Sequence, residues 1–159
     1  MLIAITFDES EKIDPIDPIG DITITDDTTT ITEKSTYLDS WFDASITGLK
    51  TVKEGKKISV EIVEEPEPIV FEPWQEGVRI SYRDRTLFIP QISEFTTALK
   101  LAANDFLNKL DRETEFDSND LLEVIRDFVD NESEDRYSTI QTQSNSHLDL
   151  ASAHSPARE

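Results

Sequence analysis

Residues 57–90 read KISVEIVEEPEPIVFEPWQEGVRISYRDRTLFIP. KISVEIV places Ile58, Val60 and Ile62 on one face of a strand. PIVF is the next short apolar run. GVRISY places Val78, Ile80 and Tyr82 on one face and Arg79 and Ser81 on the other. TLFIP closes the series after a turn at Arg83-Asp84-Arg85. Alternation with a period of two, carried by β-branched and aromatic residues, marks strands. The links between them are too short for crossover helices, so consecutive strands pair antiparallel, as a four-strand meander.

Upstream, LIAITF (residues 2–7) reads as a first strand. The tandem IDPIDP at Ile13–Pro18 blocks helix, because proline fixes its own φ and keeps the preceding residue extended. Residues 22–33 alternate again, with Ile22, Ile24 and Ile31 on a buried face and Asp26-Asp27 at the turn of a hairpin. Leu38, Trp41, Phe42, Ser45, Leu49 and Val52 then recur at helical spacing. Thr36 with Asp39 has the spacing of a capping box. Gly55 suits the left-handed position past the helix end, with Lys50 and Lys53 in the last turn. Gly48 weakens this helix by about 1 kcal/mol relative to alanine and leaves room for close approach to the sheet.

Downstream, Ile92, Phe95, Leu99, Ala102, Ala103, Phe106 and Leu110 form one stripe of a second helix. A third helix spans about residues 119–129, with Leu121, Leu122, Ile125, Phe128 and Val129 on one face and Asp117 or Ser118 as its cap. Strands segregate from helices along the chain. The expectation is therefore an α+β fold: an antiparallel sheet (N-terminal strand, hairpin, then the four-strand meander) with about three helices on one face. Residues 1–130 form the domain. Residues 131–159, rich in Ser, Asn, Gln and charge, read as a disordered polar tail.

The 159 residues include 34 acidic and 15 basic ones, a net charge of −19. The tail holds five acids and two bases and so contributes −3, leaving −16 on the domain. Such a surface repels phosphates and anionic lipid and attracts basic proteins and divalent cations. Nucleic acid and membrane are therefore not expected partners. The one basic cluster, Lys50, Lys53, Lys56 and Lys57, lacks the interleaved aromatics of a nucleic-acid surface.

Several chemistries lack their residues. The chain has no cysteine, and both histidines, His147 and His154, fall in the tail, where a general base has no fixed geometry. Gly20, Gly48, Gly55 and Gly77 are the only glycines, and none lies in a phosphate-cradling loop. Carboxylate clusters occur at Asp14, Asp17 and Asp21, at Asp26 with Asp27, and at Glu64, Glu65, Glu67 and Glu72. None follows the calcium-loop pattern of alternating acids around a central glycine. No metal, cofactor or catalytic group is assigned.

What the sequence supports is a binding module: a small acidic cytoplasmic protein, of the inhibitor, antitoxin or immunity type, that docks on a basic partner. An accessory subunit of a larger assembly is the alternative, and a carboxylate enzyme using a divalent metal is the less favoured third reading. The candidate contact residues are Trp74, Glu72 and Glu76 on the meander, with Glu64, Glu65 and Glu67 before it. Trp74 sits at a bend, between Pro73 and Gln75-Glu76-Gly77. It either folds back over the sheet end against Phe71 or Tyr82, or stands out as an aromatic anchor ringed by acids. Arg79, Arg83 and Arg85 are expected to pair across strands with Glu61 or Glu72.

Overall fold

The structure, a computed structural model, describes residues 1–8, 10, 12–113 and 120–131. The strands are β1 (Leu2–Thr6), β2 (Ile19–Thr25), β3 (Thr30–Tyr37), β4 (Ile58–Val60), β5 (Ile69–Trp74), β6 (Gly77–Tyr82) and β7 (Arg85–Ile89). The helices are α1 (Leu38–Lys53), α2 (Ile92–Glu113) and α3 (residues 120–131). All strand pairs are antiparallel, and the order along the chain is the expected one: first strand, hairpin, helix, then meander. The class is α+β. The expected tail at 131–159, with both histidines, and the expected caps Asp117 and Ser118 lie outside the described residues, apart from residue 131, the last described residue of α3.

The strands divide into two sheets, β1-β2-β3 and β4-β5-β6-β7. The edges β3 and β7 run side by side, but side chains, not a backbone ladder, join them. Asp26, at the β2–β3 turn, accepts the Phe88 amide of β7 through Oδ2 at 2.9 Å. Arg83, at the β6–β7 turn, reaches Glu33 of β3 at 2.8 Å. α1 and α2 each contact both sheets, so one core spans the seam. Ile3, Ile5, Ile22, Ile24 and Ile31 from the first sheet join Ile69, Phe71, Val78, Ile80 and Leu87 from the second in a single buried cluster.

α1 carries the closest packing. Its expected face is buried: Leu38, Trp41, Phe42, Ser45, Leu49 and Val52. Gly48 lies directly against Phe71 of β5: a Cβ built there would sit 2.3 Å from the ring. The helix ends as expected, with Gly55 at φ 77 and its amide bonded to the Val52 carbonyl at 2.9 Å.

Two local expectations are corrected. The capping box does not form: Tyr37 is the N-cap, with no side-chain bond to the helix. The Thr36 hydroxyl instead donates to Glu65 Oε1 at 2.7 Å and accepts the Trp41 indole N–H at 2.9 Å. The Leu38 amide is satisfied by the Pro18 carbonyl at 3.0 Å. The strand expected over 57–63 is also shorter and ends at Val60. Glu64 adopts φ 61 in the turn that follows, and the Val63 amide leaves the ladder to bond Ser40 Oγ at 3.0 Å. Ile62 is buried all the same.

Candidate interaction surface

Two acidic segments meet at the N-terminal end of α1. The IDPIDP loop is held there by the bond from the Leu38 amide to Pro18. The 61–68 loop is held there by the Val63–Ser40 and Thr36–Glu65 bonds. Tyr37 stands between the segments. The charge of Glu64, then burial, then the charges of Asp17 and Asp39 push its phenol above the ordinary value. Asp14, Asp17, Glu64 and Glu67 are exposed here. Beside them lies a groove of about 630 Å³, lined by Asp8, Asp14, Asp17 and Asp21 with Lys12 and Lys34. Lys50, Lys53, Lys56 and Lys57 follow at the other end of α1, which at 16 residues is about 24 Å long. Carboxylates thus outnumber lysines at the N-terminal end of α1, and lysines gather at the other end.

Hydrogen bonds from backbone amides order the acidic side. The Asp14 carboxylate accepts the Ile16 amide at 2.9 Å, and Asp21 accepts the Ser35 amide at 2.9 Å. Among the described residues, no group of three or more histidine, aspartate or glutamate side chains is placed to hold a metal ion.

The six candidate contact residues do not form one surface. They fall at opposite ends of β5, a strand roughly 17 Å long. Glu64 and Glu67 are exposed at its start. Glu65 turns inward: its side chain is 13% exposed and binds Thr36, with Arg83 Nη2 at 3.6 Å. At the other end, Glu76 is exposed, and Glu72 is ion-paired with Arg79 across the β5–β6 ladder. This pairing of Arg79 is the expected one. Arg83 instead crosses to Glu33 and Glu65.

Trp74 neither caps Phe71 or Tyr82 nor stands alone. Ile69 and Phe71 point into the core, so by alternation Glu72 and Trp74 point out. Trp74 packs against Phe88 with ring centroids 4.9 Å apart, and both remain partly exposed on the outward face of the meander.

A second feature had no counterpart in the sequence reading. Glu33 alternates inward from Ile31 and meets Glu65, Tyr82 and Arg83 at the seam. Burial first, then the charge of Glu65, push the Glu33 carboxyl up, although Arg83 opposes the shift. Burial likewise pushes the Tyr82 phenol up to about 12. The Tyr82 ring packs edge-on against Trp41 at 5.1 Å and lies under the Arg83 guanidinium at 5.3 Å. Glu33 Oε1 and both oxygens of Glu65 are engaged by Arg83, Tyr82 and Thr36, so this carboxylate pair serves as a joint between the sheets. The inward parity of Glu33 relative to Ile31 was the available signal for it.

Among the described residues, no helix is long and apolar enough to cross a membrane. Comparison with family models, with curated proteins and with solved structures finds no match to this chain.

Proposed function

We propose that this chain is a binding module without catalysis of its own, which docks through the acidic end of α1 onto a basic surface of a partner protein. The observation that carries the reading is the convergence of the 13–21 and 61–67 segments around Tyr37, with exposed Glu64 and Glu67, which make no ion pair among the described residues, facing solvent beside Asp14 and Asp17. Loops already ordered by their own hydrogen bonds lose little entropy on binding. A field of one sign speeds association with an oppositely charged patch and selects among partners. Inhibitors and immunity-type proteins that cover a cationic active site work in this way, and a cytoplasmic location belongs to the same proposal.

The test is an affinity capture from native lysate at low and high salt. The baits are the unaltered chain, a variant with Asp14→Asn, Asp17→Asn, Glu64→Gln and Glu67→Gln, and a control with Asp84→Asn and Glu123→Gln. The expected outcome is one stoichiometric basic partner, retained by the unaltered chain and the control at low salt, lost at high salt, and lost from the fourfold variant. Failure to retain any partner at either salt overturns the proposal. The accessory-subunit reading draws on a different observation, the exposed Trp74–Phe88 pair. A partner kept at high salt and released by Trp74→Ala would favour it.

A further inference from the structure

We propose that the outer edge of β1 is a self-association edge, on which a second copy of this chain adds its own β1 antiparallel to make one continuous six-stranded sheet. The three-stranded and the four-stranded sheet together present four edges, and the other three are managed. β4 is three residues long and is preceded by Lys56 and Lys57. β3 and β7 shield each other, with the outward Phe88 amide taken by Asp26. An unpaired edge is normally blunted by shortness, charge, proline, a bulge or a cover. Among the described residues, β1 has none of these. Its five residues, LIAIT, carry no charge, proline or glycine, and the one bulge of this sheet lies on β3, where Lys34 and Ser35 stand opposite Asp21 of β2. No group of the described chain outside β2 hydrogen-bonds to the β1 backbone.

A second observation lies alongside. Leu2 is 58% exposed, and Leu101 of α2, at 66%, is the most exposed large apolar side chain among the described residues. Leu101 borders a hollow of about 300 Å³ with Ala98 and Met1, the residue that precedes β1. The charged group in that hollow, Glu94, lies 4.0 Å from the Met1 amino group.

Charge identifies the occupant. A basic partner finds no carboxylate array on this strip, whereas a copy of a chain at −19 can approach another only where acids are absent. The strip is also self-complementary. All five residues pair only when Ala4 opposes Ala4 of the second copy. This places a small, outward, exposed side chain on the two-fold axis and Leu2 opposite Thr6 of the second copy. Salt then acts in opposite senses on the two proposed contacts: screening weakens docking on a basic partner and strengthens pairing of like-charged copies.

The full chain tests this without interference, because it contains no cysteine. At directly opposed antiparallel positions the Cα atoms lie about 4.5–5.5 Å apart, within the roughly 4.4–6.8 Å that a disulfide spans. Under mild oxidation Ala4→Cys is expected to crosslink to a dimer much faster than Ser59→Cys, which marks the β4 edge. Sedimentation equilibrium is expected to give a dimer fraction that rises between about 0.02 M and about 0.5 M salt, as the screening length falls from roughly 20 Å to roughly 4 Å. Ala4→Lys, outward on the exposed face, is expected to give a monomer with an unchanged circular dichroism spectrum. A monomeric unaltered chain at about 0.1 mM, a concentration at which any Kd well below millimolar would register, overturns the proposal. So does a dimer indifferent to Ala4→Lys, or Ala4→Cys crosslinking no faster than Ser59→Cys.

Discussion

Replacing Gly48 by alanine sets two effects against each other, and the structure says which prevails. In an isolated helix the change gains about 1 kcal/mol, because glycine loses more backbone entropy on folding than alanine. Here the added methyl would lie 2.3 Å from Phe71 Cδ2, 2.4 Å from Cγ and 2.6 Å from Cε2. The ring has nowhere to retreat: Phe71 is fully buried and stacks on Phe95 with centroids 5.9 Å apart. Overpacking of this kind costs about 1–3 kcal/mol, and contacts so short belong at the upper end. The expected net loss is about 1–2 kcal/mol, which lowers Tm by roughly 3–8 °C for a chain of this size. Urea and thermal unfolding followed by circular dichroism measure it. The cause is checked by a double-mutant cycle with Phe71→Leu: the glycine change should cost less in that background, since leucine leaves space the ring filled. A Gly48→Ala chain as stable as the parent would refute the packing argument, and additive costs in the cycle would refute the role of the ring.

Two further predictions concern the seam. Asp26→Ala removes the acceptor for the amides of Thr28, Thr29 and Phe88 and is expected to cost about 1–3 kcal/mol. Burial pushes the Asp26 carboxyl up, but these bonds outweigh it and hold the group at about 2, below its ordinary 3.8. Its contribution is therefore complete above about pH 4 and lost as pH falls through about 2; acid titration of stability should show this loss in the parent and not in the variant. Glu33 has the opposite sign. Its raised carboxyl holds a proton more tightly in the folded chain, so its increment is present below the ordinary 4.5 and lost as pH rises through the raised value. Glu33→Gln should abolish that slope in the same titration. Arg83→Ala, which strips both glutamates of their cation, should lower stability near neutral pH and lower it much less when Glu33→Gln is already present; equal losses in both backgrounds would refute the joint.

The elements legible in the sequence were those fixed by local periodicity. The stripe Leu38–Val52, the alternation of Val78, Ile80 and Tyr82, and the stop at Gly55 all stand as expected. Gly48 was legible too, because a glycine in mid-helix needs a reason and close approach is the usual one. The division into two sheets was not, since the seam depends on which edges come to face each other, a tertiary matter. The capping box failed for a related reason: Thr36 has the right spacing, yet Trp41 and Glu65 claim its hydroxyl. Trp74 and Glu33 are different. Counting by twos from Phe71 sends Trp74 outward, and counting by twos from Ile31 sends Glu33 inward, so both placements were available to strict parity. The candidate surface was legible as composition, since the acidic runs stand in plain view. Their meeting at Tyr37 was not, because Pro18 and Ser40 hold the two loops through bonds between residues far apart in the chain.

The division into two sheets also bears on how the chain acquires its structure. The first sheet uses residues 2–37 and the second residues 58–89, each an unbroken run of neighbouring strands. Neither ladder waits for a distant partner, so loop-closure entropy is small until the two halves dock. Pulse-labelled hydrogen exchange is therefore expected to find the amides of β5 and β6 protected on a timescale independent of β2. The Phe88 amide should follow later, because its acceptor, Asp26, belongs to the other half.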